Sequence, residues 1–172
     1  KHNDDIDEVY FIDKSQGMID RLRLKPICRK KLFKSFDCCD IQRLSEYNRY
    51  PSDSFDTVID TFGICSFEDP EQAITEMVNV CKPDKKIILL EHGLSNWKLV
   101  QMYQNKKLLK HVYMWGCYFN RDILGYIENR DDVVIEKVQR RHFGTTYIIE
   151  LRKKAEQSVS ESDADVTGKN DV

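Results

Sequence analysis

The stretch FDTVIDTFGICSFEDPEQAI, Phe55 to Ile74, constrains the fold of this chain more than any other segment. FDTVID carries a strand pattern, and TFGIC interrupts it. Asp69 then stands at an N-cap, with Pro70 at the first helical position and Gln72 at the third, the spacing of a capping box. Ala73, Ile74, Met77, Val78 and Cys81 fall along one helical face, and Lys82 and Pro83 end the pattern. IILL, Ile87 to Leu90, follows and is apolar at every position, as expected of a parallel strand covered by helices on both faces. Strand, capped helix and buried strand in that order predict a βαβ unit.

The flanking segments extend the alternation. VYFID, Val9 to Asp13, leads into Ser15 and the apolar spacing Met18, Ile19, Leu22, which predicts a strand, a cap and a helix. KKLFKSFDCCD predicts a second strand ending at Asp40. Helical patterns follow at 96–115 and 120–129, and VVIEKVQ and TTYIIEL predict two last strands joined around HFG. This order implies an α/β sheet. The 172 residues and net charge of -2 suffice for one domain with a core, placed at 1–153. The segment 154–172 lacks any aromatic residue and reads as a disordered tail. No run approaches the roughly eighteen apolar residues of a spanning helix. The six cysteines show no CxxC or Cys/His spacing suited to zinc, so buried free thiols and no metal are expected.

In α/β sheets ligands sit beyond the carboxyl ends of the strands. Thr61, Phe62 and Gly63 occupy one such end, and acids occupy three others, at Asp13, Asp40 and Glu91. An acid closing an early strand can accept hydrogen bonds from both hydroxyls of a ribose, which makes Asp13 a candidate nucleoside reader. The competing reading is that each acid caps the turn that follows it. His92 follows Glu91 at a strand end, and there a histidine can serve as general base or as a turn residue. Tyr103 and Lys107 match the YxxxK pair of short-chain dehydrogenases, but chance and a solvated helix face account for that match. The basic run from Arg21 to Lys34 could face anionic lipid or RNA. With no interleaved aromatic beyond Phe33, it reads as an exposed helix and loop, and no nucleic-acid site is evident.

FIDKSQGMID, FDCCD, the stretch from Ser54 to Gly93, WGCYFNRDI and the closing HFGTTY together resemble the class I S-adenosylmethionine-dependent methyltransferases of the type-11 kind. Among these they are similar to the fungal mitochondrial inner-membrane methyltransferase-like proteins. The resemblance implies a Rossmann-like sheet and S-adenosylmethionine as cofactor, with a mitochondrial inner-membrane location. By the same resemblance Asp13 binds the ribose, Asp40 lies near the adenine amino group with the Ile41 backbone beside the ring, and Thr61 and Phe62 line the methyl-transfer region. Thr61-Phe62-Gly63-Ile64 replaces the Asn-Pro-Pro-Tyr of many amino-group methylases, which leans toward a carbon, oxygen or thiol on a small or lipid-like acceptor. The alternative is a methyltransferase-like assembly or scaffold protein that turns over nothing. The family's first strand and glycine-rich loop precede the ribose-binding acid, yet KHNDDIDEVYFI contains no glycine. The expectation is therefore a C-terminal part of a longer methyltransferase, its sheet divided in two, with the chain as it stands unable to hold the cofactor. Any membrane association is expected through upstream sequence alone.

Overall fold

The computed structural model describes residues 6–155. Most of the expected disordered tail, 156–172, lies outside the described residues. The elements run β1 (Val9–Asp13), α1 (Gln16–Arg23), β2 (Phe33–Cys38), β3 (Phe55–Thr61), α2 (Pro70–Val80), β4 (Cys81–His92), α3 (Lys98–Trp115), α4 (Gly125–Glu128), β5 (Val133–Arg141) and β6 (Thr146–Lys153). Two short 3-10 helices, Pro26–Arg29 and Ile41–Tyr47, flank β2.

The strands form two sheets. One holds β1 and β2 in parallel, and the other is ordered β3-β4-β6-β5. The division expected from the family resemblance is thus present. In the larger sheet β3 and β4 are parallel through the α2 crossover, whereas β4–β6 and β6–β5 are antiparallel. The sheets meet where Tyr10 packs edge-on against Phe55 with ring centroids 5.3 Å apart.

The main core lies on one face of the four-stranded sheet. Ile87 and Leu89 of β4 and Tyr147, Ile149 and Leu151 of β6 pack there with Ile74, Met77 and Val78 of α2. This corrects the reading of IILL as covered on both faces. The alternate residues Ile88 and Leu90 are only half-buried, and Ile59 beside them in β3 is 65% exposed. The run is continuous because β4 is central in a mixed sheet; among the described residues α2 and α4 back one face alone. Toward the other end of that open face the sheet is polar, with Lys86, Lys137 and Arg152 paired to Glu136 and Glu150.

The α2 cap forms half as expected. Asp69 accepts the Gln72 backbone N–H at 2.9 Å, but the Gln72 side chain turns to Glu76. The Asp69 N–H is satisfied at 2.6 Å by Gln42, which docks the 3-10 helix after β2 onto α2. Ser45 strengthens that docking through two hydrogen bonds to the Glu76 carboxylate. The pattern at 120–129 yields only the four-residue α4. Arg121 there, with Tyr118 just before it, is drawn instead into contacts with the loop after β3.

Candidate functional site

Asp13 and Asp40 close neighbouring parallel strands. The Asp13 carbonyl accepts the Cys39 N–H at 3.2 Å, which holds the two strand ends side by side. Asp13 Oδ1 accepts the Ser15 N–H at 2.8 Å and so caps α1's entry, while Oδ2 has no partner among the described residues. Asp40 is more fully committed. Its Oδ1 accepts both the backbone N–H and the side-chain amide of Gln42, at 3.1 and 2.9 Å, and Oδ2 pairs with Lys14 at 2.9 Å. Burial opposes ionisation of Asp40, but Gln42 and Lys14 outweigh it and hold its carboxyl below the usual range. Ile41 opens the 3-10 helix and packs its side chain between the two cores. The capping and ligand readings are therefore compatible at Asp13, whereas Asp40 already holds three partners and has less room for a ligand.

Thr61 and Phe62 stand at the end of β3, both exposed. Phe62 takes a φ of 59°, left-handed backbone that a bulky residue rarely adopts, and such strain gathers at ligand sites. Its ring stacks on His92 with centroids 4.4 Å apart. Two acids hold the loop beneath. Glu91 accepts the N–H of Gly63 at 3.2 Å and of Cys65 at 2.9 Å, and Asp60 accepts that of Ile64 at 3.0 Å. A Cβ at position 63 would run into the Asp60 carboxyl and the Phe67 ring, so the close approach requires glycine. Burial, then the adjoining Asp60, pushes the Glu91 carboxyl well above the ordinary carboxylate range. Glu91 was noticed in the sequence only as a strand-end acid; its work is to shape the loop that presents Thr61 and Phe62.

Beneath Phe62, Cys65, His92 and Cys117 converge. The two sulfurs lie 3.3 Å apart and Cys117 Sγ lies 3.4 Å from His92 Nδ1. Hydrogen bonding to Cys117 and then burial push the Cys65 thiol up to about 12, and the same contact lowers that of Cys117. The expectation of buried free thiols holds for Cys28, Cys39, Cys65, Cys81 and Cys117, and Cys38 is exposed. The sequence spacing did not suggest that two of them meet a histidine.

Helix α3 leaves this end of the sheet through polar anchors. Gln104, its one buried residue, bonds to the Ser95 N–H and to the Gly93 and Phe119 carbonyls. Its apolar side chains point outward instead, with Leu99 81%, Leu109 85% and Tyr113 91% exposed. Tyr103 and Lys107 both lie exposed on α3, as the solvated-face reading predicted. Trp97, just before α3, packs on Phe143 at the tip of the β5–β6 hairpin, where Phe143 itself has a φ of 57°.

Comparison with known proteins bears on the family and the fold. Residues 2–89 match a family described as a methyltransferase domain. The chain is 28% identical over 163 residues to the mitochondrial methyltransferase OMS1 of Saccharomyces cerevisiae, covering 88% of this chain and 34% of that protein. It is 38% identical over 102 residues to the ubiquinone/menaquinone biosynthesis C-methyltransferase UbiE of Wigglesworthia glossinidia brevipalpis, covering 58% of this chain and 38% of that one. It thus spans little more than a third of the length of these curated relatives. Among solved structures, the YcgJ protein from Bacillus subtilis shares the fold at a TM-score of 0.61 and 12% identity, over 87% of this chain and 84% of that one. The chain belongs to the methyltransferase domain family.

Proposed function

We propose that the protein transfers a methyl group from S-adenosylmethionine to a carbon, oxygen or thiol of a lipid-like acceptor at a membrane surface. The observation that carries this reading is the pair of acids, Asp13 and Asp40, on adjoining parallel strand ends, with one Asp13 oxygen uncommitted. A carboxylate so placed fits the vicinal hydroxyls of a ribose. The Ile41 backbone and Asp40, once released by Lys14, would meet the adenine edge. S-adenosylmethionine, when bound, supplies a methyl already activated on a sulfonium, so the protein's task is to align the acceptor and exclude water. Thr61 and the strained Phe62 form the surface against which an acceptor is aligned, and Glu91 fixes that surface. For a hydroxyl acceptor the departing proton goes to His92.

The lipid-like acceptor and the membrane surface are supported by α3. Its outward Leu99, Met102, Tyr103, Leu109, Tyr113 and Met114 are interleaved with Lys106 and Lys110, and α3 contains no acid. Apolar and aromatic side chains with lysines among them suit the interface of an anionic bilayer. Among the described residues no helix is long and apolar enough to cross a membrane. The relative named as mitochondrial supports placing that surface in the mitochondrion, and the inner membrane rests on the family resemblance of the sequence alone.

Titration calorimetry on the full-length protein tests the cofactor. Asp13→Ala should weaken S-adenosylmethionine binding about a hundredfold, the loss of charge-assisted bonds to two hydroxyls. Unchanged affinity removes Asp13 from the site, and a wild-type protein that binds no cofactor favours the alternative of a non-catalytic assembly or scaffold protein. Co-sedimentation with anionic vesicles tests the surface. Changing Lys106 and Lys110 to Gln should reduce partitioning by about thirtyfold, from about 1 kcal/mol for each lysine at a charged membrane. Equal partitioning into neutral vesicles would show that charge plays no part.

A further inference from the structure

We propose that Cys65, His92 and Cys117 form a binding site for a thiophilic d-block cation, zinc in the first instance. Each residue comes from a different element: the loop after β3, the end of β4, and the turn that follows α3. Their donor atoms all lie within 4.8 Å of one another, and two edges of the triangle measure 3.3 and 3.4 Å. Tetrahedral zinc, with bonds of about 2.3 Å to sulfur and about 2.0 Å to nitrogen, sets sulfur–sulfur and sulfur–nitrogen edges of roughly 3.8 and 3.5 Å. The two measured edges therefore need to open by at most about half an ångström, and the third lies within 4.8 Å. Two thiolates and a neutral imidazole bring a divalent cation to zero net charge, which suits a place where Cys65 and Cys117 are buried. Three protein donors leave one tetrahedral position for water or for a thiol or hydroxyl ligand.

The backbone around the donors is fixed independently of any cation. The Cys65 N–H is held by Glu91, and its carbonyl accepts the Tyr118 N–H at 2.8 Å, which ties the Cys117 turn to the Cys65 loop. Arg121 donates to the neighbouring Ile64 carbonyl at 2.6 Å. Gly116, with a φ of 65°, ends α3 and sends Cys117 back into the core. Phe62 clamps the His92 ring from above. Supports of this kind orient ligands in built metal sites, and a chance meeting of three side chains does not require them.

This inference gives His92 a ligand's role in place of the base role above and leaves the cofactor reading untouched, and its test needs no acceptor. Full-length protein, reduced and freed of metal, is titrated with cobalt(II), whose intense visible ligand-field bands report tetrahedral thiolate coordination. The expected result is one tightly bound equivalent, displaced by zinc, with sulfur-to-cobalt charge transfer. Cys117→Ser and His92→Gln should each weaken binding at least about a hundredfold, since loss of a direct ligand exceeds the loss of a supporting contact. Changing Cys38 and Cys39 together to Ser should leave it intact. Wild-type protein that takes up no cobalt, or uptake that disappears with Cys38 and Cys39 instead, overturns the site without relying on any variant that folds poorly. Recovery of a Cys65–Cys117 disulfide from reduced, metal-supplied protein overturns it equally.

Discussion

Among the described residues the four-stranded sheet rests on sixteen buried ones, from Ile64 to Leu151, gathered from three strands, two helices and the loops after β3 and α3. The two-stranded sheet has far less beneath it. Ile19 of α1 is buried against it, Phe11 stacks on Phe33 and Phe36 at 5.5 and 5.4 Å, and a cluster of only four buried residues, Cys39, Leu44, Tyr50 and Val80, joins it to α2. In place of apolar depth it has a polar clasp, in which Asp37 of β2 receives both Arg49 and Tyr50. The proposed site spans both regions, since the nucleoside acids belong to the small sheet and the acceptor loop to the large one. One part of the site is therefore rigid by packing, while the other depends on charge and on contact with its neighbour.

The largest expected effect tests the apolar side of this contrast. Leu89→Ala removes a side chain that is 1% exposed at the centre of the large sheet and should cost about 2 to 5 kcal/mol in chemical denaturation. Leu44→Ala, equally buried in the small cluster, should fall at the lower end of that range because so little surrounds the cavity. Native-state hydrogen exchange should show β1 and β2 opening before β4 and β6. Equal costs and uniform protection would mean that the two sheets share one core after all.

Much of this contrast was legible in the sequence, and what was not has a physical cause. VYFID and Ser15 specified β1 and the α1 cap because both depend on neighbours within a few positions. Half of the α2 cap was legible for the same reason. Its other half was not, because Gln42 lies 27 positions away and reaches Asp69 only once the chain has folded. Periodicity identified α3 as a helix but carries no information on which face is covered. Gln104, a polar residue in an exposed segment, is what binds it to the β4 end. The cysteine cluster was invisible to motif reading because its sulfurs are 52 positions apart. Glu91 was visible as a strand-end acid, but its service to the Gly63 and Cys65 amides depends on the β3–β4 register.

Acid should separate the sheets next. Burial would raise the Asp37 carboxyl, but the Tyr50 hydroxyl and the Arg49 charge outweigh it and hold the group below its ordinary value. A carboxyl depressed on folding contributes stability above its unfolded pKa and loses it as pH falls through the folded one. The small sheet should therefore loosen at low pH while the large sheet persists. Asp37→Asn should remove roughly 1.5 to 3 kcal/mol at neutral pH and flatten this acid limb, as followed by tyrosine near-UV circular dichroism. An acid limb unchanged in the variant would assign the loss to other carboxyls.

The smallest effect addresses the joint itself. Tyr10 and Phe55 meet edge to face at an interplanar angle of 75°; Tyr10 is the second residue of β1 and Phe55 the first of β3. An aromatic pair of this kind is worth about 0.5 to 1.5 kcal/mol beyond the area it buries. A double-mutant cycle with Tyr10→Leu and Phe55→Leu isolates that coupling from the packing each ring makes elsewhere, including the contact of Phe55 with Tyr50. A coupling in this range, with hydrogen exchange in β1 accelerated by Phe55→Leu, would show that the small sheet draws part of its stability from the large one. A coupling near zero would make the clasp at Asp37 and the cluster around Leu44 sufficient to hold Asp13 and Asp40 in place. The nucleoside end of the site would then keep its geometry even when the rings at the joint no longer touch.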